Sequence, residues 1–217
     1  MAIRRNQQRA SQTRSQGGRS AYWVVGEWYV DQKSPLNFPQ KRRITQSGKS
    51  SLVVQFVEGV FVDSYYPTIE TTFTKPIKYK GAEYECDILD TAGQDEYSLI
   101  NSKHAIGIHG YMLVFSLASR ASFEMVATVH DKLLAYHGLE ALPVVVIGQK
   151  SDLVQQRVVD REEAEQMSKQ LNASYVEVSA AANENVAKAF ESMLAEIESR
   201  NVPPSGEGGS QGKCAIQ

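Results

Sequence analysis

Residues 110–117 and 143–148 are apolar almost without interruption. A strand with one face in water alternates polar and apolar residues. A strand covered on both faces does not, so these runs predict buried strands of a parallel sheet. Between them, residues 122–136 have the length and spacing of a helix, and residues 174–178 read as a further strand. Residues 185–200 form an amphipathic helix pattern, with Val186, Ala189, Phe190, Met193, Leu194 and Ile197 on the inner face. Asp160 and Glu163 have the spacing of an N-cap and its capping partner for a helix through Leu171. Residues 49–60 repeat apolar groups at helical spacing: Leu52, Val53, Phe56, Val57 and Val60. Residues 77–80 and 83–89 flank Gly81 as a hairpin, with Tyr84, Cys86 and Ile88 on one face. Strands alternating with helices predict one α/β domain, a mainly parallel sheet flanked by helices.

The charge is split along the chain. Residues 1–43 hold nine Lys or Arg against two acids, whereas the rest hold fourteen against twenty-three. Such asymmetry marks a basic tail on a separate acidic body. Residues 1–20 are mainly Arg, Gln, Ser and Gly and are expected to be disordered. Residues 203–213, rich in Pro, Gly and Ser, are expected to be a flexible tether. The expected division is a basic extension over 1–43, a domain over 44–200 and a tether over 201–217. Cys86 and Cys214 make no disulfide framework, which points to a reducing compartment. No apolar run approaches the roughly 18 residues needed to span a bilayer. The basic start has no apolar stretch behind it, so a secretory signal is not expected. Nucleic acid is not among the expected partners.

Several short motifs carry chemistry. Gly48-Lys49-Ser50, with Ser51 behind it, is the end of a phosphate loop. That loop needs Gly, four residues, then Gly-Lys-Ser/Thr. The second glycine turns backbone N–H groups onto phosphate, the lysine reaches the β- and γ-phosphates, and the serine ligates Mg²⁺. A helix N-terminus follows, which favours anions. Asp90-Thr91-Ala92-Gly93-Gln94 closes a strand. Asp90 is placed to hold Mg²⁺ through a water, Gly93 to offer its N–H to a γ-phosphate, and Gln94 to orient an attacking water. Gly148-Gln149-Lys150-Ser151-Asp152 follows a buried strand. A carboxylate at Asp152 can accept from guanine's N1–H and exocyclic amine, whereas adenine presents the opposite pattern. The stem of Lys150 can cover a flat ring. Thr68, in the loop Tyr65-Tyr66-Pro67-Thr68, can complete a Mg²⁺ shell only when a third phosphate is present. Ser179-Ala180 after a strand is a weak signal alone. His104, His109, His130 and His137 show no ligand spacing, and Cys86 reads as core.

These motifs, in this order, resemble the Ras superfamily of small GTPases, a P-loop NTPase fold. Residues 61–70, Thr72-Phe73-Thr74-Lys75 and residues 90–98 resemble its Rheb branch. The resemblance spans residues 48–200 and the tail. It implies a switch that binds GDP and GTP and hydrolyses GTP slowly. It implies that Phe61 stacks near guanine with Tyr65 in the same loop, that Thr68 is the switch I threonine, and that Gly93 and Gln94 open switch II. It also implies that Gln149, Lys150 and Asp152 bind the base with help from Ser179 and the backbone of Ala180. Implied partners are a GTPase-activating protein, an exchange factor and a TOR-type kinase effector engaged through residues 61–75.

Three departures stand against this pattern. The first glycine of the phosphate loop is replaced by Arg43, and residues 39–47 hold Pro39 and three basic side chains where a central strand should run. Residues 21–30 have strand chemistry, but seventeen residues separate Val30 from Gly48, so they are not expected to feed the loop in the usual way. The first strand is therefore in doubt, and the chain through about residue 46 is expected not to be the native start of the domain. The second departure is Gln149 in place of Asn, and the third is Ala181 in place of Lys; weaker or rearranged base contacts without loss of guanine choice, and a mild effect, are expected respectively. A prenylated interaction module with impaired nucleotide binding is the competing reading, and Asp152 disfavours an adenine-nucleotide enzyme. Cys214-Ala215-Ile216-Gln217 fits a prenylation box, with Gln217 favouring farnesyl. One lipid chain and the single nearby Lys213 predict reversible association with the cytoplasmic face of endomembranes.

Overall fold

A computed structural model describes residues 19–26, 28–29, 47–62, 70–91, 94–95 and 108–201. Its strands are β1 (Arg19–Gly26), β2 (Trp28–Tyr29), β3 (Glu70–Tyr79), β4 (Ala82–Thr91), β5 (Gln94–Asp95), β6 (Gly110–Ser116), β7 (Val144–Gln149) and β8 (Ser174–Val178). Its α-helices are α1 (Lys49–Glu58), α2 (Arg120–His137), α3 (Arg161–Gln170) and α4 (Val186–Asn201). Six strands form one sheet in the order β3-β4-β1-β6-β7-β8, and β2 pairs with β5 in a two-stranded sheet. Within the large sheet only the β3–β4 pair is antiparallel.

The two apolar runs are β6 and β7, and every residue in them is buried. Each face of the sheet has its own core. One joins Leu52 and Val53 of α1 to Phe190, Met193 and Leu194 of α4, over Ile88, Met112 and Ile147. There the rings of Phe56 and Phe190 stack at 3.7 Å. The other packs Phe123, Val126 and Leu133 of α2 and Ala164 of α3 over Leu113, Phe115 and Val146. Covering both faces removes the need for alternation, which is why these strands read as continuous apolar runs. Among the described residues, no helix is long and apolar enough to cross a membrane.

The sequence leaves the first strand in doubt; the structure supplies it from an unexpected place. Residues 19–26, inside the segment read as an extension, form the central strand β1. It pairs in parallel with β4 from Arg19↔Tyr84 to Val25↔Asp90 and with β6 from Trp23↔Gly110 to Gly26↔Leu113. The strand chemistry read over residues 21–30 is thus placed in the sheet over 19–26, inside the segment expected to be an extension. Sequence distance from Gly48 is no bar, because two neighbouring strands fix the position of β1. The rest of residues 1–46, apart from β2, lies outside the described residues.

Smaller corrections concern helix ends. Val60 was placed on the inner face of a helix, but α1 stops at Glu58 because Gly59 adopts a left-handed conformation and its N–H bonds to Gln55 O. Val60 is consequently half exposed. Asp160 does sit at the N-cap of α3, yet its side chain makes no cap hydrogen bond; its backbone oxygen accepts from Ala164 N. Glu163 is instead held by Arg120 at 2.6 Å. The hairpin is longer than expected, starting at Glu70, and it carries Pro76 on the edge strand β3 where a missing N–H is tolerated. Cys86 is wholly buried, and burial pushes its thiol up to about 12. His130 is buried, and His137 lies 2.5 Å from the Tyr111 hydroxyl.

A charged cluster locks β8 to the loop before α3. Arg157 donates both guanidinium nitrogens to Glu177, at 3.0 and 2.7 Å, and Tyr175 donates to the same carboxylate at 3.0 Å. Burial alone would raise the Glu177 carboxyl, but Arg157 and Tyr175 outweigh it and hold it below its ordinary 4.5. A depressed carboxylate stabilises the fold above its unfolded value, and that stability is lost as pH falls through the folded value. Glu177→Gln is thus expected to cost about 1.5 kcal/mol at pH 7, the low end for hydrogen bonds to a charged group because the amide keeps part of them. The difference from wild type should vanish in urea melts well below pH 4.5.

Candidate functional site

The site lies at the carboxyl ends of the parallel strands, where β1, β4, β6, β7 and β8 deliver their loops. Its first part is the start of α1. Gly48 is the N-cap residue, at φ 88 and ψ 24, with no side-chain cap. Lys49 and Ser50 open the helix, Lys49 is buried, and Ser51 is partly buried behind them. A left-handed residue before a helix turns successive N–H groups to one side, and a side chain there would be strained.

Asp90, the penultimate residue of β4, meets this helix start. Its carboxylate is nearly fully buried and accepts a hydrogen bond from Ser50, with Lys49 close enough to act on its charge. Its Oδ1 has no hydrogen-bond partner among the described residues. Burial raises the Asp90 carboxyl above its ordinary value, while Ser50 and Lys49 pull the other way. A buried carboxylate oxygen without a partner beside a serine hydroxyl suits a hard divalent cation that keeps waters and takes phosphate oxygens. The donor set therefore fits Mg²⁺.

The third part is the loop after β7. Gln149, the last residue of β7, is buried, and both ends of its carboxamide bond to backbone. Oε1 accepts from Lys150 N at 2.9 Å and from Ala180 N at 3.2 Å, and Nε2 donates to Gly48 O at 3.2 Å. Through these three bonds the side chain links the start of α1, the turn after β7 and the loop after β8. Lys150 has a left-handed backbone, φ 69, which starts the turn. Asp152 accepts from Ser179 Oγ at 2.5 Å. Ser179 in turn exchanges backbone hydrogen bonds with Glu184, and its Oγ accepts from Ala182 N.

Thus Gly48, Lys49, Ser50, Asp90, Gln149, Lys150, Asp152, Ser179 and Ala180 come together at one edge. Phe61 lies beyond α1 and is 41% exposed. Gln94 is in β5, where only its backbone pairing with Trp28 is described. Tyr65, Thr68, Gly93 and Cys214 lie outside the described residues. Sequence reasoning missed the loop 179–185 as a built element. Asn183 and Asn185 both have positive φ, a conformation Asn tolerates well, and they were the available signal.

Gly48 and Gln149 are interdependent. A Cβ on Gly48 would lie 2.9 Å from Gln149 Cγ and 3.1 Å from Nε2. Gly48→Ala is expected to cost about 2 kcal/mol, from the left-handed backbone and the clash together. In a double-mutant cycle with Gln149→Ala the two costs should add to less than their sum, because the second change removes the obstructing side chain. Simple additivity in urea denaturation would show that the two residues do not touch.

Comparison with known proteins agrees with this geometry. A model of the Ras family matches residues 45–199. The chain is 57% identical to GTP-binding protein rhb1 of Schizosaccharomyces pombe over 162 residues, covering 74% of this chain and 88% of that one. It is 50% identical to small monomeric GTPase RhbA of Aspergillus fumigatus over 184 residues, covering 82% and 97%. Against GTP-binding protein Rheb of Homo sapiens the identity is 46% over 151 residues, covering 70% and 82%.

Proposed function

The chain belongs to the Ras family, and from that premise we infer that it is a Rheb-like small GTPase, binding GDP and GTP and hydrolysing GTP slowly. The observation that carries this reading is the Gln149 carboxamide. By bonding to Gly48 O, Lys150 N and Ala180 N it joins the phosphate end and the base end into one site.

Each residue then has a task. Asp152, oriented by Ser179, accepts from guanine N1–H and the exocyclic amine. The stem of Lys150 covers the ring. Lys49 and the first N–H groups of α1 offset phosphate charge. Ser50 and Asp90 would hold Mg²⁺, Asp90 through a water, and the ion when bound supplies further charge neutralisation on the β- and γ-phosphates. Gln94 would orient the water whose oxygen attacks the γ-phosphorus. The bond to the β–γ bridging oxygen breaks, GDP departs, and the water's proton ends on inorganic phosphate. Thr68 and the N–H of Gly93 would sense the third phosphate and let go after hydrolysis. No residue of this chain is assigned as a stabilising arginine, so an activating protein is expected to act in trans.

The same reading extends to an exchange factor and to a TOR-type kinase effector that docks on residues 61–75, supported by the likeness to the Rheb proteins. It takes Cys214 as a farnesyl acceptor, giving reversible residence on endomembranes; the support is the sequence Cys214-Ala215-Ile216-Gln217. Mass spectrometry of the protein from its own cells should find farnesyl on Cys214.

Base choice tests the central claim, because it is a ratio and does not depend on absolute affinity. At millimolar nucleotide with Mg²⁺, GDP should raise the melting temperature by about 2 °C or more. ADP should leave it unchanged, and Asp152→Ala should erase the difference. Equal shifts from GDP and ADP would overturn the reading.

A further inference from the structure

We propose that the residues between Gly26 and Gly48 contain an insertion that splits the phosphate loop. In the form of this protein that holds nucleotide tightly, four residues rather than 21 separate these glycines. The proposal rests on the switch reading above.

The sheet carries the argument. Gly26 is the last residue of the central strand β1, and its neighbour Val25 lies opposite Asp90 in the parallel register. Asp90 accepts a hydrogen bond from Ser50, the second residue of α1. The end of β1 and the start of α1 therefore converge on one residue, β1 through the backbone register and α1 through the Ser50 hydroxyl. Strand-to-helix connections in α/β units usually take about two to six residues. Four residues reach roughly 15 Å when extended, ample for two ends that both neighbour Asp90.

The motif fits the same cut. Gly48-Lys49-Ser50 stands in place with its left-handed glycine. The pattern asks for a glycine at a strand end, five positions earlier. Arg43 holds that position in the sequence, but Gly26 holds the strand end in space. Seventeen residues are supernumerary. An independent sign is that the match to the Ras family starts at residue 45, inside the loop, although the first strand of the sheet lies at 19–26. Resemblance that breaks within a motif, with the missing strand intact upstream, is the signature of inserted chain rather than a replaced start.

The insertion also reaches the second switch. Trp28 and Tyr29 pair in parallel with the backbone of Gln94 and Asp95. That pairing ties the segment carrying the water-orienting glutamine to residues that lie between the two glycines.

Three shortened chains test the proposal against residues 1–217. Removing 27–43 puts Gly26 in the position of Arg43. Removing 30–46 gives the same four-residue spacing from different residues. Removing 27–36 leaves the spacing wrong. Affinity for a fluorescent GDP analogue with Mg²⁺ is measured by titration, alongside thermal melts. The two chains with correct spacing should bind at least about 100-fold more tightly than the full chain, a difference of two decades in Kd. The chain lacking 27–36 should resemble the full chain. All should share the preference for guanine, because the base end is untouched. Sequencing of the messenger should reveal a form 17 codons shorter. Binding by the full chain as tight as by the shortened ones, or failure of both correctly spaced chains to fold, would overturn the insertion alone. No guanine preference in any chain would overturn the switch reading with it.

Discussion

A single buried carboxamide organises the site. Gln149 ends a strand that is covered on both faces, so its polar atoms have no water to turn to and must find protein partners. It finds them on Gly48, Lys150 and Ala180, in three loops that leave three different elements. This fixes where the phosphate turn sits relative to the base loop. It also dictates that residue 48 carry no side chain, because the Gln149 stem fills the space a Cβ would need. The extra methylene relative to Asn therefore has a structural consequence: the amide is spent on backbone, and base choice falls to Asp152, whose geometry depends on Ser179.

Electrostatics explain the other half. Asp90 is a carboxylate in a nearly dry position with one oxygen lacking a partner. Such a group is costly in a protein built only for stability. It makes sense where a cation and a triphosphate complete the shell. Glu177 is the contrasting case. It is only partly buried and is saturated by Arg157 and Tyr175, and it serves the fold. The two carboxylates differ in enclosure, and they differ as well in whether their hydrogen-bond sites are filled.

The elements legible in the sequence were those set by periodicity. β6, β7 and the inner face of α4 follow from apolar spacing alone, and each of the six inward residues read for α4 is buried. Helix ends were less legible, because they turn on single residues: Gly59 stops α1 before Val60, and Glu163 prefers Arg120 to the cap it was expected to make. The site residues brought together were legible where a motif is contiguous, as in 48–50 and 149–152, and at Asp90. The loop 179–185, held by backbone pairing of Ser179 with Glu184, has no comparable signature. β1 was the hardest case. Its strand chemistry was visible, but its place was judged by distance along the chain, whereas pairing with β4 and β6 determines it.

That last point separates what a fold tolerates from what a site tolerates. Loop closure entropy grows only with the logarithm of length. Stretching the Gly26–Gly48 connection from four residues to 21 costs on the order of 1.5 kcal/mol, less than the central strand gains from two parallel ladders. The sheet can therefore keep β1 whatever follows Gly26. A phosphate cradle has no such slack. Its N–H groups must converge within hydrogen-bond reach of one anion, about 3 Å, and a mispositioned donor contributes nothing. The same insertion is thus nearly neutral for the architecture and severe for the chemistry. This is why the central strand and the Gly-Lys-Ser helix start can both be intact in one chain although the spacing between Gly26 and Gly48 departs from the motif.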